Sequence, residues 1–279
     1  MNTLNKFVRT IAASAVLALG TGAASTAMAA GLPFQIDPTD YASGGSIFTA
    51  NFVSGASSAL ITSQGGGVYK SEGWITYTAF KNGASTVNGN VSGVNTAYDL
   101  FGTFVQTFNC PGSLGVGVTC NVSTINLNLY VDKGPYVSGN GTNGFGNTYV
   151  EAALPGTAAS VTDTDGDDVL LATANLVIAG TAGLDNLGGA FENVNTNFIL
   201  SNAGKEYFFD PVPFHTLAFS TFNNTSQGIA CAPNCAAATT VSINSEVGGT
   251  DFNKIPEPAT LALMGLGLLG MGVSRRRKA

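Results

Sequence analysis

Asp163-Thr-Asp-Gly-Asp-Asp168 places four carboxylates in one short segment that contains a glycine. Carboxylates at alternating positions of a turn can converge on a single cation, and Ca²⁺ accepts six to eight oxygen ligands. Asp163, Asp165, Asp167 and Asp168 are therefore the candidate calcium ligands. The segment departs from an EF-hand loop, because Asp168 stands where that loop has its glycine and Ala174 where it has its bidentate glutamate. The alternative is a solvated acidic turn leading into a strand at Val169. The single histidine, His215, follows Asp210-Pro-Val-Pro-Phe214. Strand alternation puts it on the same face as Leu217 and Phe219, which favours a structural role over membership of a Ser–His–Asp triad. The chain has no Gly-x-Ser-x-Gly elbow, no P-loop and no dinucleotide fingerprint in the right context. No two carboxylates stand out as a pair for glycoside hydrolysis. Trp74, Tyr77, Tyr130, Tyr136 and Phe145 could stack on sugars, although core or turn packing is the preferred reading for Trp74.

The four cysteines, Cys110, Cys120, Cys231 and Cys235, are an even number. In an exported chain that suggests disulfides. Three pairings exist; Cys110–Cys120 and Cys231–Cys235 close the smallest loops and are favoured. Zinc is the rival, but C-x9-C with C-x3-C and one histidine fits no familiar zinc pattern.

The elements that must position these groups read as strands. Ile125, Leu127, Leu129 and Val131 alternate with Asn126, Asn128 and Tyr130, and Val241 to Val247 repeats the pattern. Trp74–Phe80, Tyr98–Phe108, Phe191–Leu200, Glu206–Phe209 and Phe214–Phe222 also suit strands. Val169–Ala179 is more continuously apolar and suits a central strand, with a helix as the alternative. Gly-rich turns separate the runs, and Asn82–Asn95 reads as a mobile surface loop. Many short strands with such turns predict an all-β single domain, a sandwich or jelly roll.

The two ends differ from this body. Lys6 and Arg9 precede an apolar stretch, Ile11 to Leu19, and an Ala27-Met28-Ala29 cleavage site. Residues 1–30 therefore read as a secretory signal peptide, cut after Ala29 or Ala30. The expected organisation is a signal at 1–30, an extracellular domain at 31–254 and a sorting or anchor segment at 255–279. In that last segment, Pro256-Glu257-Pro258 precedes fifteen uncharged residues, Ala259 to Val273, and then Arg275, Arg276, Arg277 and Lys278. Fifteen helical residues span roughly 22 Å, short of the roughly 30 Å hydrocarbon core, so the flanks must help it cross. The basic cluster holds its end in the cytoplasm.

Between the ends, residues 31–253 carry four lysines, no arginine and sixteen carboxylates, a net charge of −12. A body without arginine is a poor ligand for phosphate or nucleic acid, so nucleic acid is not an expected partner. It suits divalent cations or a soluble extracellular surface.

The order Pro-Glu-Pro, Gly-rich apolar run and Arg-rich end resembles the PEP-CTERM sorting signal. That resemblance implies processing by an exosortase, a transient inner-membrane anchor, and final residence at the cell surface or in the extracellular matrix. A second resemblance is carried by Ser71-Glu-Gly-Trp74, Gly166-Asp-Asp-Val-Leu-Leu-Ala172, Gly188-Gly-Ala-Phe191 and Phe208-Phe-Asp-Pro-Val-Pro-Phe-His215. These segments are similar to the flocculation-associated PEP-CTERM proteins, which implies a role in holding bacterial flocs or biofilm together. The resemblance brings no catalytic residues. The expected function is thus a non-catalytic surface protein whose partners are extracellular polysaccharide or other cell-surface components. A calcium-dependent carbohydrate-binding module is the alternative, and a secreted polysaccharide hydrolase is a more distant one.

Overall fold

The computed structural model describes residues 31–134, 145–222 and 228–253. In chain order the elements are β1 (Phe34–Ile36), β2 (Phe48–Ala50), β3 (Phe52–Gly65), β4 (Val68–Asn82), β5 (Ser85–Thr86), a one-turn helix α1 (Gly89–Ser92), β6 (Tyr98–Asn109) and β7 (Thr119–Lys133). They continue with β8 (Asn147–Val150), β9 (Ser160–Asp163), β10 (Val169–Ala174), β11 (Val177–Leu184), β12 (Ala190–Thr196), β13 (Ile199–Leu200), α2 (Asn202–Tyr207), β14 (Phe208–Asp210), β15 (Thr216–Phe222), β16 (Ile229–Ala232) and β17 (Thr240–Asn253). The body is the all-β domain that the alternating runs predict.

One twelve-stranded sheet dominates, in the order β11-β12-β15-β17-β3-β4-β6-β7-β10-β13, with β16 added beside β17 and β5 beside β4. Neighbours along it are antiparallel. The long β7 serves two partners. Its C-terminal half pairs with β10, while Thr119 to Asn121 pair with β11. The second pairing closes the path into a ring, so the sheet folds back on itself with apolar residues between its layers. β3, β4, β6 and β7 follow as a meander, whereas β17 beside β3 and β13 beside β10 join strands distant in sequence. A three-stranded sheet, β14-β1-β2, and the β8–β9 hairpin complete the fold.

Alternation decides which side chains fill the interior. Ile125, Leu127, Leu129 and Val131 of β7 point inward with Leu100 and Phe104 of β6 and Ile75 and Tyr77 of β4. Phe34, Phe208 and Phe252 pack edge-on or tilted, with centroids 4.8 to 6.2 Å apart, a geometry that the ring quadrupoles favour. A smaller cluster lies on the opposite, outward face. There Leu60 and Trp74 meet Ala152 and Ala159 of the chain around the β8–β9 hairpin. The hairpin is thus a cover on the outside of the sheet.

Disulfides join Cys110 to Cys120 and Cys231 to Cys235. The first ties the end of β6 to the start of β7, and the second closes a short loop after β16.

Four expectations need correction. Val169–Ala179 is two strands, with β10 flanked by the two-residue β13 at the sheet's end. Between β10 and β11, the Asn197 Oδ1 accepts the Asn175 and Leu176 amides and so redirects the chain. Phe191–Leu200 likewise breaks into β12 and β13. Glu206 and Tyr207 end the helix α2, which starts because the Ser201 hydroxyl caps the Gly204 amide. Asn82–Asn95 is built rather than open: it holds β5 and α1, with the Asn88 side chain capping the latter.

The signal segment, Tyr136, and the tail with Pro256, Glu257, Pro258, Arg275, Arg276 and Arg277 lie outside the described residues. Among the described residues no helix is long and apolar enough to cross a membrane.

Candidate cation site and adjoining groove

On β7, Asn126, Asn128, Tyr130 and Asp132 share the outward face, and the same alternation on β6 aligns Asp99, Phe101, Thr103 and Val105. Cross-strand register sets Asp99 directly opposite Asp132. Like charges in that relation destabilise a sheet. Both residues are buried, Asp99 at 3 % exposure and Asp132 at 0 %. The loop from β9 to β10 brings further acids to the same place. Single carboxylate oxygens of Asp132, Asp167 and Asp168 lie within 4.8 Å of one another.

The surroundings do little to neutralise this charge. The Tyr149 hydroxyl donates to Asp99 Oδ2 at 2.5 Å, and Asn147 Nδ2 donates to Asp168 Oδ1 at 2.9 Å. Both oxygens of Asp132, Oδ1 of Asp99, Oδ1 of Asp167 and the amide oxygen of Asn147 are buried without a hydrogen-bond partner. The described lysines are occupied elsewhere: Lys70 pairs with Glu72 at 2.5 Å, Lys81 lies over Phe52 and Lys133 over Tyr41. Lys205 stands in the last turn of α2.

The acidities follow. Burial, then Asp168, Asp167, Asp165 and Asp99, push the Asp132 carboxyl up to about 8. Asp168 is pushed up to about 6, chiefly by burial, against the lowering effect of the Asn147 hydrogen bond. Asp99 is raised by burial, with the Tyr149 and Leu100 hydrogen bonds opposing. Tyr149 is in turn raised, by burial first and then by Asp99.

Of the four carboxylates singled out in the sequence, the structure brings two, Asp167 and Asp168, into this group. Asp163 does another job: its Oδ1 accepts the Gly166 amide at 2.7 Å and the Asp165 amide at 3.1 Å, closing the turn. The Gly166 hydrogen bond is the main reason that the Asp163 carboxyl is lowered. Gly166 has φ of 80°, a conformation that costs a residue with a Cβ. Asp165 packs over Gly146, where an added Cβ would sit 2.0 Å from its carboxylate. Its carboxyl is raised, by desolvation first and then by Asp167. Asp132 and Asp99 escaped the sequence reading. The available signal was two acids on the outward faces of neighbouring strands in a body poor in cations.

Next to the cluster on the same face lies an open groove of about 370 Å³. Its floor holds Glu72, Thr103, Val105, Asn126 and Asn128, and its wall is Ala158 to Val161, which runs into the start of β9. Asn128 and Asp132 are four strand residues apart, roughly 13 Å. Trp74 does not open into the groove for stacking. It is 8 % exposed, its ring centroid is 5.1 Å from that of Tyr149, and its Nε1 donates to the Val150 carbonyl at 2.9 Å. Tyr77 and Phe145 are buried, while the half-buried Tyr130 stacks on Phe101. His215 is buried too, with Nε2 3.2 Å from the Pro33 carbonyl and Nδ1 without a partner among the described residues.

The PEP-CTERM protein-sorting motif matches residues 254–278. That match spans Pro256-Glu257-Pro258 and the Arg275–Arg277 cluster, and it implies an exported surface protein that is sorted by an exosortase and carries a C-terminal anchor. No curated protein and no solved structure matches the chain.

Proposed function

We propose that the chain is a non-catalytic matrix protein that binds neutral exopolysaccharide at the cell surface and so promotes flocculation or biofilm cohesion. The observation that carries this reading is the groove on the outward face. The amides of Asn126 and Asn128 and the hydroxyls of Thr103 and Ser160, set among apolar Val105, Ala158 and Val161, suit the mixed polar and apolar faces of an uncharged glycan, and the body has no arginine with which to grip phosphate or sulfate. The sorting motif supports a cell-surface location, and the reading includes a transient inner-membrane stage before exosortase processing. Two segments that resemble flocculation-associated proteins fall here: Ser71-Glu-Gly-Trp74 runs along the groove, and Gly166-Asp-Asp168 belongs to the acidic cluster. Hydrolysis is a weaker reading. Glycosidases generally use two carboxylates flanking the bond, whereas the groove lining offers Glu72 alone, already paired with Lys70.

The test is retention of the full-length protein on exopolysaccharide isolated from its own host, together with settling of cells that lack the gene. Asn126→Ala with Asn128→Ala should weaken retention at least about tenfold, the scale of one to two lost hydrogen bonds, and leave the melting curve unchanged. Retention equal to the parent's would reject the groove, and normal settling of the deletion strain would reject the flocculation role.

A further inference from the structure

We propose that Asp132, Asp167 and Asp168 bind one calcium ion that clamps the β8–β9 hairpin and the loop after it onto the outward face of β6 and β7. This goes beyond the glycan reading and holds whether or not the groove takes a polysaccharide.

Three observations converge on it. The first is geometric: three carboxylates from two separate parts of the fold present oxygens within 4.8 Å of one another. The second is unsatisfied demand. Asp132 is fully buried with neither oxygen hydrogen-bonded, and the neighbouring Asn147, at 2 % exposure, leaves its amide oxygen unpartnered while its Nδ2 holds Asp168. Native interiors rarely leave such groups orphaned, and a bound ion is one of the standard ways in which they are satisfied. The third is charge. Asp99 adds a further carboxylate across the strand pair, and among the described residues no lysine forms an ion pair with any of the four. A buried charge persists only when it is paired or coordinates a metal.

The donor set selects the ion. It is all oxygen, with no imidazole or thiolate, which suits a hard cation over zinc or copper. Carboxylates able to bind through one or both oxygens, on a loop and a strand end, suit the larger and more variable shell of Ca²⁺. Mg²⁺ demands a near-ideal octahedron and gives up its water reluctantly. Asp163 stays outside, since its carboxylate closes the turn that aims Asp167 and Asp168 inward.

The position gives the ion a mechanical role. Asp132 belongs to the main sheet and Asp167 and Asp168 to the chain that leaves the hairpin, so one ion bridges scaffold and cover. Asn147, at the start of β8, ties the other hairpin strand to Asp168.

The experiment uses the full chain in mild detergent, stripped with EDTA and dialysed. Calorimetric titration with CaCl₂ or MgCl₂ reads stoichiometry and affinity, and fluorescence of the single tryptophan, Trp74, follows melting at the hairpin. The parent should bind one Ca²⁺ per chain and melt roughly 2–6 °C higher in a few millimolar Ca²⁺, given the 10⁻⁴–10⁻³ M affinities common in extracellular modules. Mg²⁺ should give less than half that shift. Asp132→Asn and Asp167→Asn should each weaken Ca²⁺ binding at least tenfold. In EDTA, Asp132→Asn, which keeps the shape and removes the buried charge, should melt no lower than the parent. Asp185→Asn, in the turn after β11, should respond like the parent. Absence of saturable binding, equal shifts with Ca²⁺ and Mg²⁺, or a full Ca²⁺ response in the Asp132→Asn or Asp167→Asn protein would each overturn the proposal. The parent titration decides by itself if a variant fails to fold.

Discussion

Replacing Trp74 should loosen the hairpin before it unfolds the sheet. Trp74 is 8 % exposed and is the largest member of the outward cluster with Leu60, Ala152 and Ala159. An aromatic of this kind buries about 150–250 Å², worth about 4–6 kcal/mol at ~25 cal/mol per Å² as an upper bound. Measured Trp→Ala losses in cores are about 3–5 kcal/mol. The hairpin has few other anchors: the Tyr149–Asp99 and Asn147–Asp168 hydrogen bonds, and two at Ala152, whose amide donates to the Ser58 hydroxyl while its carbonyl accepts from Asn244 Nδ2. Each is worth about 1 kcal/mol net, somewhat more where a carboxylate accepts. Trp74→Ala should therefore remove the largest single contribution to docking, comparable with the four hydrogen bonds together. Undocking then caps the global loss at less than the full core value. Trp74→Phe keeps most of the area but loses the bond to the Val150 carbonyl, and should cost about 1 kcal/mol. Hydrogen exchange reads the two levels separately. In Trp74→Ala the amides of Thr148–Val150 and Ser160–Thr162 should exchange far faster than in the parent, with those of Leu127 and Leu129 keeping most of their protection. Uniform loss of protection across hairpin and sheet would refute the reasoning, because Trp74 would then support the sheet itself.

Serine at both Cys110 and Cys120 should lower stability by about 2–3 kcal/mol in a denaturant melt, and serine at Cys231 and Cys235 by slightly less, since the second loop is shorter; no loss from the first pair would reject a structural bridge. Burial raises the Asp251 carboxyl above 3.8. The folded state thus binds protons more readily than the unfolded one, and the group's stability cost is absent below pH 3.8 and develops as pH rises through its folded value. Asp251→Asn should accordingly melt higher than the parent at pH 7 and show no advantage near pH 3; a gain of equal size at both would show that charge is not the cause. Alanine at Pro256, Glu257 and Pro258 should leave export intact and accumulate uncleaved precursor in the inner membrane on immunoblots, and normal release would remove that segment from the sorting step.

Much of the sheet was readable because its strands obey a period of two. Ile125 to Val131, Tyr98 to Phe108 and Val241 to Val247 alternate cleanly, and each lies within a long strand. β3 was missed although it lies at the middle of the sheet. Its inward residues, Val53, Gly55, Ser57, Ala59 and Ile61, include three small ones, while outward Ser58 and Leu60 are buried beneath the hairpin cover. Alternation marks a face only when one side is wet, and here both sides are covered. The break at Asn175 was hidden for a different reason. It depends on Asn197, twenty-two residues away, whose side chain takes the two amides that a continuous strand would have used.

The acidic site illustrates the same limit in chemical form. Asp163 to Asp168 was conspicuous because four acids stand together, yet nearness along the chain sorted them poorly: two aim at Asp132, one closes the turn and one rests on Gly146. Asp132 sits at a wet-looking position beside Lys133, at the end of an alternating strand, and nothing local sets it apart from a solvated rim charge. What makes it unusual is register, which places Asp99 opposite, and topology, which lays the hairpin over both. Each is a long-range property. The one global hint was the charge balance. With four lysines, no arginine and sixteen carboxylates in residues 31–253, any acid that becomes buried has little prospect of a basic partner. A buried carboxylate in such a body calls for a proton or a metal ion: without an ion Asp132, pushed up to about 8, keeps its proton at neutral pH, and a bound cation would displace it.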